Sequence, residues 1–117
     1  MVLADRRLHP RVNVDLEVKI GISGDNTGAR IVDISLGGVS IKGNHELATI
    51  LKLDLDQPHG CDYMVSFDLP GKHLSILSRL VHVRRLSQHD YVFGIKFLNL
   101  SAEDIESLSD YINSRAR

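Results

Sequence analysis

Nine consecutive residues constrain the fold of this chain more than any other feature. Val12, Val14, Leu16, Val18 and Ile20 alternate without a break with Asn13, Asp15, Glu17 and Lys19. Successive side chains of an extended strand point to opposite faces, so strict period two marks a strand with one face buried and the other in water.

The rest of the chain repeats this theme in short segments. Residues 21–28 hold three glycines together with Ser, Asp and Asn, and read as a loop. A second strand is expected over about Ala29 to Ser35. Leu36-Gly37-Gly38 turns it, and Val39-Ser40-Ile41 begins a third. Leu51, Leu53 and Leu55 alternate with Lys52, Asp54 and Asp56 in a fourth. Tyr63, Val65, Phe67 and Leu69 mark a fifth, which Pro70-Gly71 closes. Between Leu74 and Leu86 the apolar parity changes, from Leu74 and Ile76 to Val81 and Val83, as it does at a β-bulge or a sharp bend. Tyr91, Phe93, Ile95 and Phe97 supply one face of the last strand. At the C-terminus the period lengthens. Ser101 and Asp104 form a capping-box-like pair, Leu100 and Ile105 occupy staple positions, and Ile105, Leu108, Tyr111 and Ile112 form one helical stripe. Short strands at this spacing predict a mainly β fold, a small six- to seven-stranded antiparallel β-barrel with a C-terminal α-helix.

At 117 residues, 43% of them apolar, the chain suits one domain over residues 12–117, preceded by an Arg-rich arm over residues 1–11. Cys61 is the only cysteine, which excludes an intramolecular disulfide. The N-terminus lacks the basic-then-apolar pattern of a signal peptide, and no apolar run approaches the roughly 20 residues of a membrane span. A cytoplasmic protein without membrane insertion is expected. The formal net charge of −1 argues against a protein that coats DNA or RNA through a broad basic surface. Six Phe and Tyr and no Trp offer little stacking surface for single strands.

Two short patterns carry chemistry. Arg7-Leu8-His9-Pro10-Arg11 places two arginines with three residues between them, just before the first strand. Asp33-Ile34-Ser35-Leu36-Gly37-Gly38 gives D-x-S-x-x-G where a strand meets a turn. With nine arginines in the chain, composition alone yields the first pattern roughly 0.7 times per chain, while the second arises in roughly 8% of shuffled chains. The weight therefore rests on their joint occurrence and their order. Alone, Asp33, Ser35 and Gly38 read as a strand-end turn, where these residue types are favoured for geometry. Arg6, Arg7 and Arg11 alone read as a solubilising tail.

Together the two patterns resemble the PilZ family. The order matches: arginine pair, first strand, second strand ending in D-x-S-x-x-G, further strands, terminal helix. The segment Phe93-Gly94-Ile95-Lys96-Phe97-Leu98-Asn99-Leu100-Ser101 also looks like that family's last strand and helix cap. The resemblance spans about residues 6–113 and implies a receptor for the bacterial second messenger cyclic di-GMP. It implies that Asp33, Ser35 and Gly38 hold one guanine while Arg7 and Arg11 hold bases and phosphates. It also implies that an extra arginine at Arg6 favours two intercalated ligands per chain. The chemistry fits. Guanine O6 and N7 match the fork of an arginine, and its N1–H and N2–H match a carboxylate such as Asp33. Gly38, lacking a Cβ, leaves room for a flat base.

Two further residues are candidates by position. Arg79 is placed for a second phosphate. His82 falls where some family members carry a stacking aromatic, although an ordinary surface histidine is the alternative. No catalytic or metal-binding residues are expected. His59-Gly60-Cys61 lacks a second ligand pair, and no P-loop or G-x-G-x-x-G is present. The expectation is a sensor without enzymatic activity or cofactor. Its arm is mobile when free and ordered by ligand, and it signals to a downstream protein still to be identified. The alternative is a PilZ-like protein-interaction module that binds no nucleotide.

Overall fold

The computed structural model describes residues 10–20, 29–48 and 62–116. The alternating segment forms β1 (Val12–Glu17) and β2 (Lys19–Ile20), with Val18 between them. The remaining strands are β3 (Arg30–Ile34), β4 (Gly38–Gly43), β5 (Asp62–Leu69), β6 (Lys72–Arg85) and β7 (Tyr91–Phe97), and helix α1 (Ala102–Ala116) follows. They make a mainly β fold, one seven-stranded antiparallel sheet in the order β1-β3-β4-β7-β6-β5-β2, curled into a half-barrel. β1 pairs with β3 at one end of the sheet, and β2 pairs with β5 at the other. One residue separates them, so a single stretch of chain holds both ends and fixes the curl.

Parity decides the core. Val12, Val14, Val18 and Ile20 are buried as their alternation predicts, and Leu16 packs partly against the same core. Ile31, Ile34, Val39, Ile41, Val65, Leu74, Ile76 and Phe93 are almost fully enclosed. Each such side chain contributes about 1.5–3 kcal/mol relative to exposure. The parity change in β6 is a bulge: the register with β7 shifts between Leu80 and His82, which leaves Val81 as the extra residue. β5 and β6 are joined by Pro70-Gly71, where Gly71 takes φ 75°, the left-handed position that a Pro-Gly turn assigns to glycine.

Helix α1 starts where its cap predicts. Ser101 Oγ accepts the Asp104 N–H at 3.0 Å. Leu108 and Ile112 are buried and Tyr111 partly so, but Ile105 is 43% exposed. The expected stripe is thus shorter than its period suggests, because the helix meets the core only from its second turn. An ion pair between Lys72 on β6 and Glu103 ties down the first turn, and Arg115 near the end reaches the Asn13 carbonyl at 3.5 Å. Residues 1–9 of the expected arm over 1–11, with Arg6 and Arg7, the loop at 21–28 and the strand at Leu51–Leu55 lie outside the described residues.

Candidate functional site

Strand register builds the site. Residues directly opposite one another on neighbouring strands share a face. One outward row crosses four strands: Asp33 opposes Ser40, Ser40 opposes Gly94, and Gly94 opposes His82. The next row along, Ile34, Val39, Ile95 and Leu80, faces the core and is buried. Beyond it a second outward row runs Gly38, Lys96, Arg79 and Asp62. Two irregularities set this alignment. A shift in β3 between Ile31 and Asp33 brings Asp33 opposite Ser40, and the β6 bulge brings His82 opposite Gly94.

The two sequence patterns meet at one end of the first row. Arg11 Nη1 donates to Asp33 Oδ1 across 22 residues of sequence, and lies 3.4 Å from Ser40 Oγ. The Asp33 side chain keeps 21% of its surface exposed. Ser35 is buried and acts as the hub of its turn. Its hydroxyl accepts the Gly37 N–H at 3.1 Å and donates to the Gly38 carbonyl at 3.4 Å, while its own N–H reaches that carbonyl at 2.9 Å. Within the protein, Ser35 therefore serves as the turn-former that the pattern read alone suggests.

Gly38 has a structural reason that sequence reasoning missed. A Cβ there would stand 2.0 Å from the Ile95 carbonyl oxygen and 3.1 Å from Lys96 Cα. Its φ is not positive, so space rather than backbone conformation demands the glycine. The room it provides is filled first by β7. Gly94 differs: the three atoms nearest a Cβ there all belong to the His82 ring, at 2.1–2.6 Å. The ring of His82 thus lies across the gap that Gly94 leaves in the row.

These residues line an open groove of about 490 Å³ with walls from Pro10-Arg11, the Ser35–Ser40 turn and strand, Val81-His82 and Gly94–Lys96. The volume lies within the roughly 300–1,000 Å³ typical of small-molecule sites. Arg11, Ser35, Gly38 and His82 are brought together here, and Asp33 joins them through Arg11. Arg79 is not among the lining residues. Its guanidinium forks onto Asp62 at 2.9 and 3.4 Å, and this hydrogen bond, reinforced by the carboxylate's charge, raises its pKa further. Arg6 and Arg7 lie outside the described residues. Ser40, Gly94 and Lys96 were not foreseen as site residues. Their parity on β4 and β7 marks them as outward, but only the pairing of β4 with β7 puts them in this groove. Among the described residues, no cluster of His, Cys, Asp and Glu is arranged to hold a metal.

A family model for the PilZ domain matches residues 5–114. The chain belongs to the PilZ domain family. PilZ domains are binding and effector modules of cyclic di-GMP signalling rather than enzymes. Among solved structures this PilZ domain is similar to the inhibitor of motility MotI/DgrA of Bacillus subtilis, with a TM-score of 0.74 and 16% sequence identity. The match covers 95% of this chain and 51% of that one, so this chain spans about half the length of its structural relative. At that identity the likeness is one of fold. No curated protein sequence matches the chain.

Proposed function

We propose that this PilZ domain is a cyclic di-GMP receptor that catalyses nothing and passes the signal to a downstream protein in the bacterial cytoplasm. The observation that carries the reading is the meeting of Arg11 and Asp33, from two patterns 22 residues apart, at the end of a groove of ligand size. Asp33 Oδ1 takes the Arg11 hydrogen bond, and Oδ2 is left for the N1–H and N2–H of a guanine. Ser35 and Gly38 support that base through the turn they form. Arg7 and Arg6, which precede Pro10 and Arg11 in the sequence, add guanidinium groups for phosphates and for the other guanine. His82 offers its ring as a stacking surface beside Gly94.

Binding then joins the N-terminal segment to the sheet. Order gained there changes the surface offered to a partner, a switch of the order–disorder kind. The ordering cost must be offset by the new contacts, so affinity depends on the arginines.

The alternative reading, an interaction module that binds no nucleotide, has one observation in its favour. Met64 and Leu77 oppose each other on the outer face, 44% and 39% exposed. Parallel calorimetric titrations with cyclic di-GMP and with a single-stranded oligonucleotide separate the readings. The receptor reading expects saturable binding of the dinucleotide alone. Binding of neither favours the interaction module, and binding of the oligonucleotide alone overturns both.

A further inference from the structure

The second outward row carries an imbalance of charge. Lys96 on β7 opposes Arg79 on β6, two cations directly across a strand pair, which is destabilising. Arg79 is compensated on its other side, where it forks onto Asp62. Lys96 has no such neighbour. Its partner on the other side is Gly38, which has no side chain, and among the described residues no hydrogen-bond or ion-pair partner holds its ammonium group. Lys96 is exposed and lines the groove. It stands one strand over and two residues along from Ser40, the side chain that Arg11 approaches, at a diagonal of about 7–8 Å.

We infer that Lys96 is a phosphate anchor of the groove, supplementary to the arginine pair and the D-x-S-x-x-G turn. The inference rests on the cyclic di-GMP reading. A cyclic dinucleotide carries its two phosphodiesters on opposite sides of a macrocycle, so its site needs cations in two places. Arg11 stands at the Asp33 end of the first row. Lys96 stands in the second row, opposed by Arg79 on one side and by the side-chain-less Gly38 on the other, and lines the groove. A lysine acts as a compact point charge, suited to a phosphate oxygen and indifferent to base identity. An anion placed there relieves the repulsion between Lys96 and Arg79, so the site gains from the ligand what the free protein lacks.

Calorimetry on wild type, Lys96→Gln, Lys96→Arg and Lys72→Gln tests this, with thermal melts of each ligand-free protein. Lys96→Gln is expected to weaken cyclic di-GMP binding about tenfold, the scale of one charged hydrogen bond. It should also make the remaining affinity less sensitive to salt. Lys96→Arg should keep the affinity within about twofold because the charge remains. Lys72→Gln, whose lysine sits on the helix side, should bind as wild type does. The melting temperature of Lys96→Gln should equal or exceed that of wild type, since a repulsion has been removed. Wild-type affinity in Lys96→Gln overturns the inference and leaves the receptor reading standing. Loss of affinity together with lower melting temperatures in both Lys96 variants makes the residue structural and overturns it as well. Absence of binding by the wild type overturns the receptor reading and this inference with it.

Discussion

Arg11 and Asp33 are joined by an ion pair, although the sequence places one in an arm and the other at the end of a strand. The pair holds the last residue of the arm against β3. It also orients the Asp33 carboxylate: Oδ1 is engaged by Arg11, and among the described residues no hydrogen bond reaches Oδ2. In the receptor reading the two residues act as a unit, and removing either disturbs the other.

That unit predicts non-additive losses. Arg11→Ala and Asp33→Ala should each weaken cyclic di-GMP binding by about 1.5–3 kcal/mol. The double variant should lose less than the sum, by a coupling energy on the order of 1 kcal/mol. Calorimetric titration of the four proteins measures the cycle, and strict additivity would mean that the residues contact the ligand independently. Ligand-free melting temperatures should change little, because the pair is partly exposed and its net contribution to folding is small.

The two glycines of the groove should behave in opposite ways. Gly38→Ala forces a Cβ into the Ile95 carbonyl and should destabilise the ligand-free protein by about 2 kcal/mol or more. Gly94→Ala first meets the ring of the exposed His82, which can turn aside, so stability should stay within about 1 kcal/mol of wild type. The displaced ring should then weaken ligand binding. Urea denaturation read beside calorimetry separates these effects, and equal stability loss in both variants would contradict the assignment.

Helix docking should show an alkaline limit. The hydrogen bond from Lys72 to Glu103 raises the Lys72 pKa, opposed by desolvation and helped by the charges of Glu103 and Asp104. A raised folded-state pKa means that the contribution is complete below the unfolded value of about 10.4 and is lost as pH rises through the higher folded value. Thermal melts of wild type and Lys72→Gln should therefore differ slightly at pH 8 and converge well above that pKa. A difference that grows with alkalinity would contradict the pairing.

Ligand number tests the role of Arg6. Two intercalated cyclic di-GMP molecules would bring four phosphate charges together, and their repulsion must be offset by cations. Wild type should bind two ligands per chain, and Arg6→Leu should shift the ratio toward one. A ratio of one in both proteins would reject the paired ligand without touching the site itself.

Much of this architecture was legible because alternation reports which face a residue occupies. Val12 through Ile20 and the parity change that became the Val81 bulge are of this kind. Alternation does not report which strand lies alongside. It therefore concealed that β1 and β2 hold opposite ends of the sheet, that Asp62 takes Arg79, and that Lys96 enters the groove. D-x-S-x-x-G was ambiguous for a related reason. A turn and a ligand site ask for the same residue types, and the approach of Ile95 to Gly38 exists only once β4 and β7 are paired. The helix stripe was read from period alone, which gives direction but not depth, so Ile105 was expected to be buried and is not.

The most direct test of the account is selectivity between two ligands that differ only at the base edge. Cyclic di-AMP keeps both phosphates and the macrocycle but lacks O6 and the N1–H donor that the receptor reading assigns to Asp33. Calorimetric titration of wild type and Asp33→Ala with cyclic di-GMP and cyclic di-AMP reads that edge. The account predicts tight binding of cyclic di-GMP by wild type, weak binding of cyclic di-AMP, and a difference that shrinks sharply in Asp33→Ala. Equal affinity of wild type for both dinucleotides would contradict it.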